Sequence, residues 1–118
     1  MATPYSVVLT TVPDQATADK LAETMVKTRL AACVNILPGA SSVYFWEGKL
    51  ERSHELLLIV KTRADLFPEL ADFIKKNHPY KVPEIIALPI GEGHGPYLDW
   101  VGARTRYSHG DPRRPRGG

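Results

Sequence analysis

The sequence holds a single cysteine, Cys33, in 118 residues, so no disulfide can close within the chain and stability must come from a hydrophobic core. A reducing compartment, the cytoplasm, is the expected setting. Apolar runs reach only the length of Leu56 to Val60, far short of the roughly 20 residues that cross a bilayer. The start, Met1-Ala2-Thr3-Pro4-Tyr5, shows no basic region leading into an apolar stretch. Neither an export signal nor a membrane partner is expected. Catalytic signatures are missing as well: there is no Gly-x-Ser-x-Gly, His-Glu-x-x-His, Cys-x-x-Cys or phosphate-loop pattern, and no enzyme is expected. Gly91-Glu92-Gly93-His94-Gly95 fails the dinucleotide fingerprint, because Pro96 stands where the third glycine belongs. That loop reads as a turn. The histidines His54, His78, His94 and His109 stand at no chelating spacing, so a metal site would have to be assembled by the fold or between chains. Cys33 lies in the apolar run Leu30-Ala31-Ala32-Cys33-Val34, where an inert buried thiol is the ordinary reading.

What is present fits one soluble domain, with 43% hydrophobic and 24% charged residues. The formal charge of +2 conceals an asymmetry. Arg104, Arg106, Arg113, Arg114 and Arg116 face only Asp111 beyond residue 103, which leaves the body slightly acidic. The expected division is a domain over residues 1–106 and a basic, Pro- and Gly-rich tail over 107–118. Such a tail reads first as a solvated extension and second as an anchor for nucleic acid.

Along the chain, Tyr5 to Val12 reads as a strand with apolar residues on both parities, so both faces should be covered. Asp14 is a credible N-cap for a helix carrying Ala18, Leu21, Ala22, Met25 and Val26 at helical spacing. A strand from Arg29 to Leu37 is interrupted by Pro38-Gly39, which suggests a bulge; it resumes as Val43-Tyr44-Phe45-Trp46, reverses at Glu47-Gly48, and returns from Lys49 to Thr62. Some fifteen residues per arm at ~3.3 Å each give about 45 to 50 Å, far beyond a common strand. With consecutive aromatics near its tip, this hairpin should pack on another copy of the chain. Thr62 to Asn77 reads as a second helix capped by Asp65, Glu84 to Leu88 as a strand, and Tyr97 to Val101 as a short helix. Two βα units joined by a hairpin make an α+β, ferredoxin-like (split βαβ) sandwich with an extra C-terminal helix.

The stretch His78-Pro79-Tyr80-Lys81-Val82-Pro83-Glu84 is the most unusual. Both prolines force extended geometry on the residue before them, giving a stiff connector. His78 with Glu84 is the best local pair for a divalent metal such as Cu(II); equally, His78 and Tyr80 read as caps on the end of the helix.

Three motifs converge: Arg29-Leu30-Ala31-Ala32-Cys33-Val34-Asn35-Ile36; Ser42-x-Tyr44-x-Trp46-x-Gly48-Lys49; and His78-Pro79-Tyr80-x-x-Pro83-Glu84-Ile85, followed by Tyr97-Leu98-x-Trp100. Together they resemble the CutA family of divalent-cation tolerance proteins. The resemblance implies a cytoplasmic homotrimer, similar in architecture to PII signalling proteins, with a role in tolerance of copper and other divalent ions. Carried onto this sequence, it lines the clefts between subunits with Tyr44, Trp46, Glu55, Lys61, His78, Tyr80, Glu84 and Trp100, with His78 as leading metal ligand and a divalent ion as the only cofactor. Some members place a cysteine late in the first strand, where this chain has Thr10-Thr11, so that thiolate is not available here. The competing readings are a regulatory trimer that binds a small anionic metabolite through Lys61 and Lys81, and, disfavoured, a nucleic-acid binder that stacks bases on Tyr44 and Trp46.

Overall fold

The computed structural model describes residues 3–113. Strands β1 (Tyr5–Val12), β2 (Cys33–Trp46), β3 (Lys49–Arg63) and β4 (Ile86–Pro89) form one antiparallel sheet in the order β2-β3-β1-β4. Helices α1 (Gln15–Lys27) and α2 (Phe67–Asn77) connect β1 to β2 and β3 to β4, which is the split βαβ arrangement. Both lie on one face. Val8, Val12, Leu58 and Val60 from that face close against Leu21, Met25, Leu70 and Ile74, and all are buried. Asp14 caps α1, its carboxylate accepting from Thr17 N–H at 2.8 Å. Val26, expected in the α1 stripe, is 41% exposed instead.

α1 ends without a glycine. Thr28 is the C-cap and Arg29 takes a φ of 64°, while Arg29 N–H bonds Val26 O and Leu30 N–H bonds Met25 O. This is a Schellman closure with arginine at the left-handed position. It turns the chain into β2 and directs Arg29 back across the fold.

The hairpin follows expectation. Its reversal uses Glu47 (φ 51°) and Gly48 (φ 78°), the paired positive φ angles of a two-residue turn that matches strand twist. Pro38 and Gly39 form a bulge, since Leu37 pairs with Leu57 but Ala40 pairs with Glu55. The longest dimension of the molecule is 47 Å, close to the arm length inferred from residue count.

Three boundaries differ from expectation. β2 begins at Cys33, where a strand from Arg29 was expected, because Arg29 and Leu30 close α1. β3 stays paired with β1 as far as Arg63 opposite Tyr5, so the helix expected from Thr62 starts only at Phe67, after a 3₁₀ turn over Ala64–Leu66. Asp65 therefore lies inside that turn and the N-cap position falls to Leu66, with no side-chain bond. β4 begins at Ile86, so Glu84 remains in the connector and not on the strand.

The second face of the sheet is covered at one end only. Helix α3 (Gly95–Arg104) crosses there with Val101 buried, and Gly102 lies so close to the Tyr5 hydroxyl that a Cβ could not fit. Away from α3, Ile86 and Leu88 of this face are about half exposed, as is Leu37.

Beyond α3 the chain as far as Arg113 lies on the body, where a solvated extension was expected. Arg106 Nη2 donates to Glu69 Oε2 at 2.7 Å, and His109 N–H donates to Glu69 Oε1. Arg113 pairs with Asp111 at 2.7 Å, and the guanidiniums of Arg63 and Arg113 both lie over the Tyr107 ring, 4.7 and 4.5 Å from its centroid. Arg114 and Arg116 lie outside the described residues. Burial works to raise the Glu69 carboxyl, but the His109 N–H and the Arg106 bond and charge outweigh it and hold the group below its ordinary value. A depressed carboxylate stabilises the fold above its unfolded titration range and ceases to do so as pH falls through its folded value. Glu69→Gln should cost about 1–2 kcal/mol at pH 7 by chemical denaturation, with the gap from wild type narrowing as acid protonates the carboxylate; a gap that does not change as pH falls would refute the contact.

Candidate functional site

The site grows from the end of β1. Ile90 N–H bonds Tyr5 O, so the odd-numbered residues of β1 turn their main-chain groups toward β4. Thr11 O points the same way, but β4 pairs only with Ser6 to Leu9. The register that sets Leu9 opposite Ile86 would set Glu84 opposite Thr11, and Glu84 lies off the strand. His78 fills the gap: its Nε2 lies 2.7 Å from Thr11 O. The residue is buried, at the C-cap of α2, with the extended backbone that Pro79 demands.

The ring's protonation follows from its other partner. Tyr80 N–H lies 3.0 Å from Nδ1 and can only donate, so Nδ1 accepts and Nε2 carries the proton that goes to Thr11 O. Both nitrogens of a neutral imidazole are thereby engaged by main chain. The Tyr80 ring tilts against His78 with centroids 4.8 Å apart, and its hydroxyl donates to Glu55 Oε2 at 2.9 Å. Burial first, and then this bond to Glu55, pushes the Tyr80 phenol up to about 12. Tyr80 is a fixed donor at physiological pH, and Glu55, 7% exposed, is its acceptor. Tyr44, whose hydroxyl lies 2.7 Å from Ser53 Oγ, and Asp14 also act electrostatically on Tyr80.

Cross-strand partners share a face, and β3 orders the rest. Trp46 is opposite Lys49, Tyr44 opposite Glu51 and Cys33 opposite Lys61. Tyr44, Trp46, Glu55 and Lys61 therefore all lie on the face turned away from α1 and α2. They are strung along it and do not converge. Lys61 is six residues beyond Glu55, about 20 Å of strand, and lies at the end that α3 crosses. There Trp100 and Tyr97 pack at 5.7 Å, and burial, with Cys33 beside it, raises the Tyr97 phenol. Cys33 itself is half-buried and not in the core. One chain thus carries two separate groups: His78, Tyr80, Glu55 and Tyr44 toward the hairpin, and, at the α3 end of the sheet, Lys61 on β3 and Trp100 on α3.

Glu84 is exposed on the connector. Among the described residues no three His, Cys, Asp or Glu side chains gather as a metal would require. With His78 doubly engaged and Glu55 held by Tyr80, the donors within one chain do not fit a metal centre. Sequence reading missed the Thr11 carbonyl and Ser53, because one is main chain and the other is brought to Tyr44 only by the hairpin register.

The family model described as "CutA1 divalent ion tolerance protein" matches residues 6–104. The chain belongs to the CutA1 family. A divalent-cation tolerance protein CutA from Thermus thermophilus is 52% identical over 99 residues, which cover 84% of this chain and 96% of that protein. Protein CutA 1, chloroplastic, from rice is 50% identical over 105 residues, 89% of this chain and 59% of that one. Human protein CutA is 46% identical over 81% of this chain and 54% of its own length. The CutA1 fold is shared in three dimensions too. The Thermus structure superposes with a TM-score of 0.84 at 51% identity, covering 86% of this chain and 98% of that one, and rice CutA1 with 0.88 at 48% identity, covering 91% and 98%. The four-stranded antiparallel sheet with helices is the CutA1 architecture.

Loss of the bond to Thr11 O in His78→Ala should lower stability by about 1–3 kcal/mol. Long-range proton–nitrogen correlation spectra at neutral pH should show His78 as the Nε2–H tautomer; the opposite tautomer would overturn the assignment.

Proposed function

We propose that this chain works as a homotrimer, PII-like in plan, whose seams bring the half-site at Glu55 and Tyr80 of one subunit against the half-site at Lys61 and Trp100 of the next. The observation that carries the reading is the separation of those groups, about 20 Å apart on one strand yet on one face of the sheet. A second subunit closes that distance. The half-exposed apolar residues Leu37, Ile86 and Leu88 on the same face, and the tip residues Phe45 and Leu50 at 73% and 64% exposure, are the surface such an assembly would cover.

In that trimer the chain acts in divalent-cation tolerance as a binding protein and not as an enzyme. Divalent ions, Cu(II) among them, bind weakly and across subunits, through exposed carboxylates such as Glu84, while His78 stays committed to Thr11. The alternative is a regulatory trimer that takes a small anionic metabolite in its clefts. It is favoured by the ammonium of Lys61 at the end of the sheet where α3 carries the Tyr97–Trp100 pair, a combination suited to a charged, planar ligand.

Light scattering of the full chain should give three times the 13.1 kDa chain mass, and Ile86→Asp, a charge on the open face, should give the single-chain mass with the fold retained. A stable wild-type monomer in dilute neutral buffer would remove the clefts. Calorimetric titration with Cu(II) should give isotherms for wild type and His78→Ala that coincide; loss of binding in His78→Ala would return the imidazole to the metal site.

A further inference from the structure

A cavity of about 280 Å³ opens between the C-terminal end of α3 and the start of the sheet, walled by Tyr5, Arg29, Arg63, Asp99, Gly102 and Tyr107 among others. It shares no residue with the cleft half-sites. Tyr5, Thr105 and Tyr107 also lie outside the stretch matched to the family, residues 6–104.

Two cations converge on it. Arg29 Nη2 donates to Ala103 O at 2.7 Å and Arg63 Nη2 to Gly102 O at 2.9 Å, so each guanidinium uses one N–H on the carbonyls that end α3. A guanidinium has five N–H donors. None of the ion pairs among the described residues involves Arg29 or Arg63. Arg63 Nε, closed from solvent, has no acceptor among the described residues. Asp111 acts on Arg63 electrostatically, but its oxygens are bound by Arg113. The one carboxylate in the wall is Asp99. Capping a helix end explains one donor on each arginine, and Arg63 also stacks on Tyr107; the buried Arg63 Nε–H and the outward donors of the exposed Arg29 remain for a ligand.

We propose that this cavity binds a small oxyanion, the carboxylate or phosphoryl group of a metabolite, held by the spare N–H groups of Arg29 and Arg63. Tyr107 forms the wall over Arg63, and Gly102 is required because its missing side chain leaves room for the Tyr5 hydroxyl. Asp99 sets the selectivity. It repels a bare polyanion and accepts from a hydroxyl or ammonium group carried beside the anionic one. The proposal does not depend on the subunit seams.

The test follows the side-chain Nε–H resonances of arginine in the full, nitrogen-15-labelled chain, titrated with inorganic phosphate and separately with malonate. Saturable shifts at Arg29 and Arg63 are expected with at least one probe, and the one that binds tells phosphoryl from carboxylate. Arg63→Met should abolish the response, and Arg29→Asn, which keeps a residue tolerant of positive φ, should weaken binding about tenfold. Asp99→Asn, a change on an exposed face that leaves both arginines in place, should tighten phosphate binding about threefold. Lys61→Ala should leave the shifts at Arg29 and Arg63 as they are, which separates this site from the clefts. No saturable shift with either probe, an unchanged response in folded Arg63→Met, or unchanged phosphate affinity in Asp99→Asn would each overturn the proposal.

Discussion

A main-chain carbonyl left without a donor in a dry place costs as much as the bond it lacks, and this sheet is built so that one strand outruns its neighbour. β1 spans eight residues and β4 four. Past Ile86, β1 has no strand on that side, and the connector after α2 must supply the missing donor. His78 does so from a backbone that Pro79 has already extended. The imidazole is thereby fixed in one tautomer, Tyr80 is fixed by its N–H on that ring, and Glu55 is fixed by the Tyr80 hydroxyl. What looks like a row of independent site residues is one chain of hydrogen bonds that starts from the end of a strand.

The same dependence explains how far the sequence could be read. Local chemistry was legible: Asp14 as a cap, Glu47-Gly48 as a reversal, Pro38-Gly39 as a bulge, and the alternation of helix and strand that leads to the split βαβ plan. Register was not. Whether β3 stops at Thr62 or Arg63, and whether β4 starts at Glu84 or Ile86, depends on where β1 ends beside them, and no propensity carries that information. His78 and Glu84 looked like a pair because six residues separate them in sequence. The ladder separates their tasks, giving His78 the position opposite Thr11 that strand register would have given to Glu84.

Long-range electrostatics was the other hidden layer. The arginine-rich end of the chain read as solvated because charge runs usually are, yet Glu69 on α2 and the ring of Tyr107 hold the part up to Arg113 against the body. Arg29 and Arg63, thirty-four residues apart in sequence, meet at the carbonyl end of α3. Only the Schellman closure that puts Arg29 at positive φ turns its side chain that way. Helix α3 is seated by two charged hydrogen bonds as much as by Val101.

The bulge at Pro38 and Gly39 has a further effect. β2 is an outermost strand, and a long straight rim of free amides is a template on which foreign strands can add without limit. Proline offers no amide there, and the bulge throws the rim out of straight line midway along its length. Such a rim is a poor seed for fibrils.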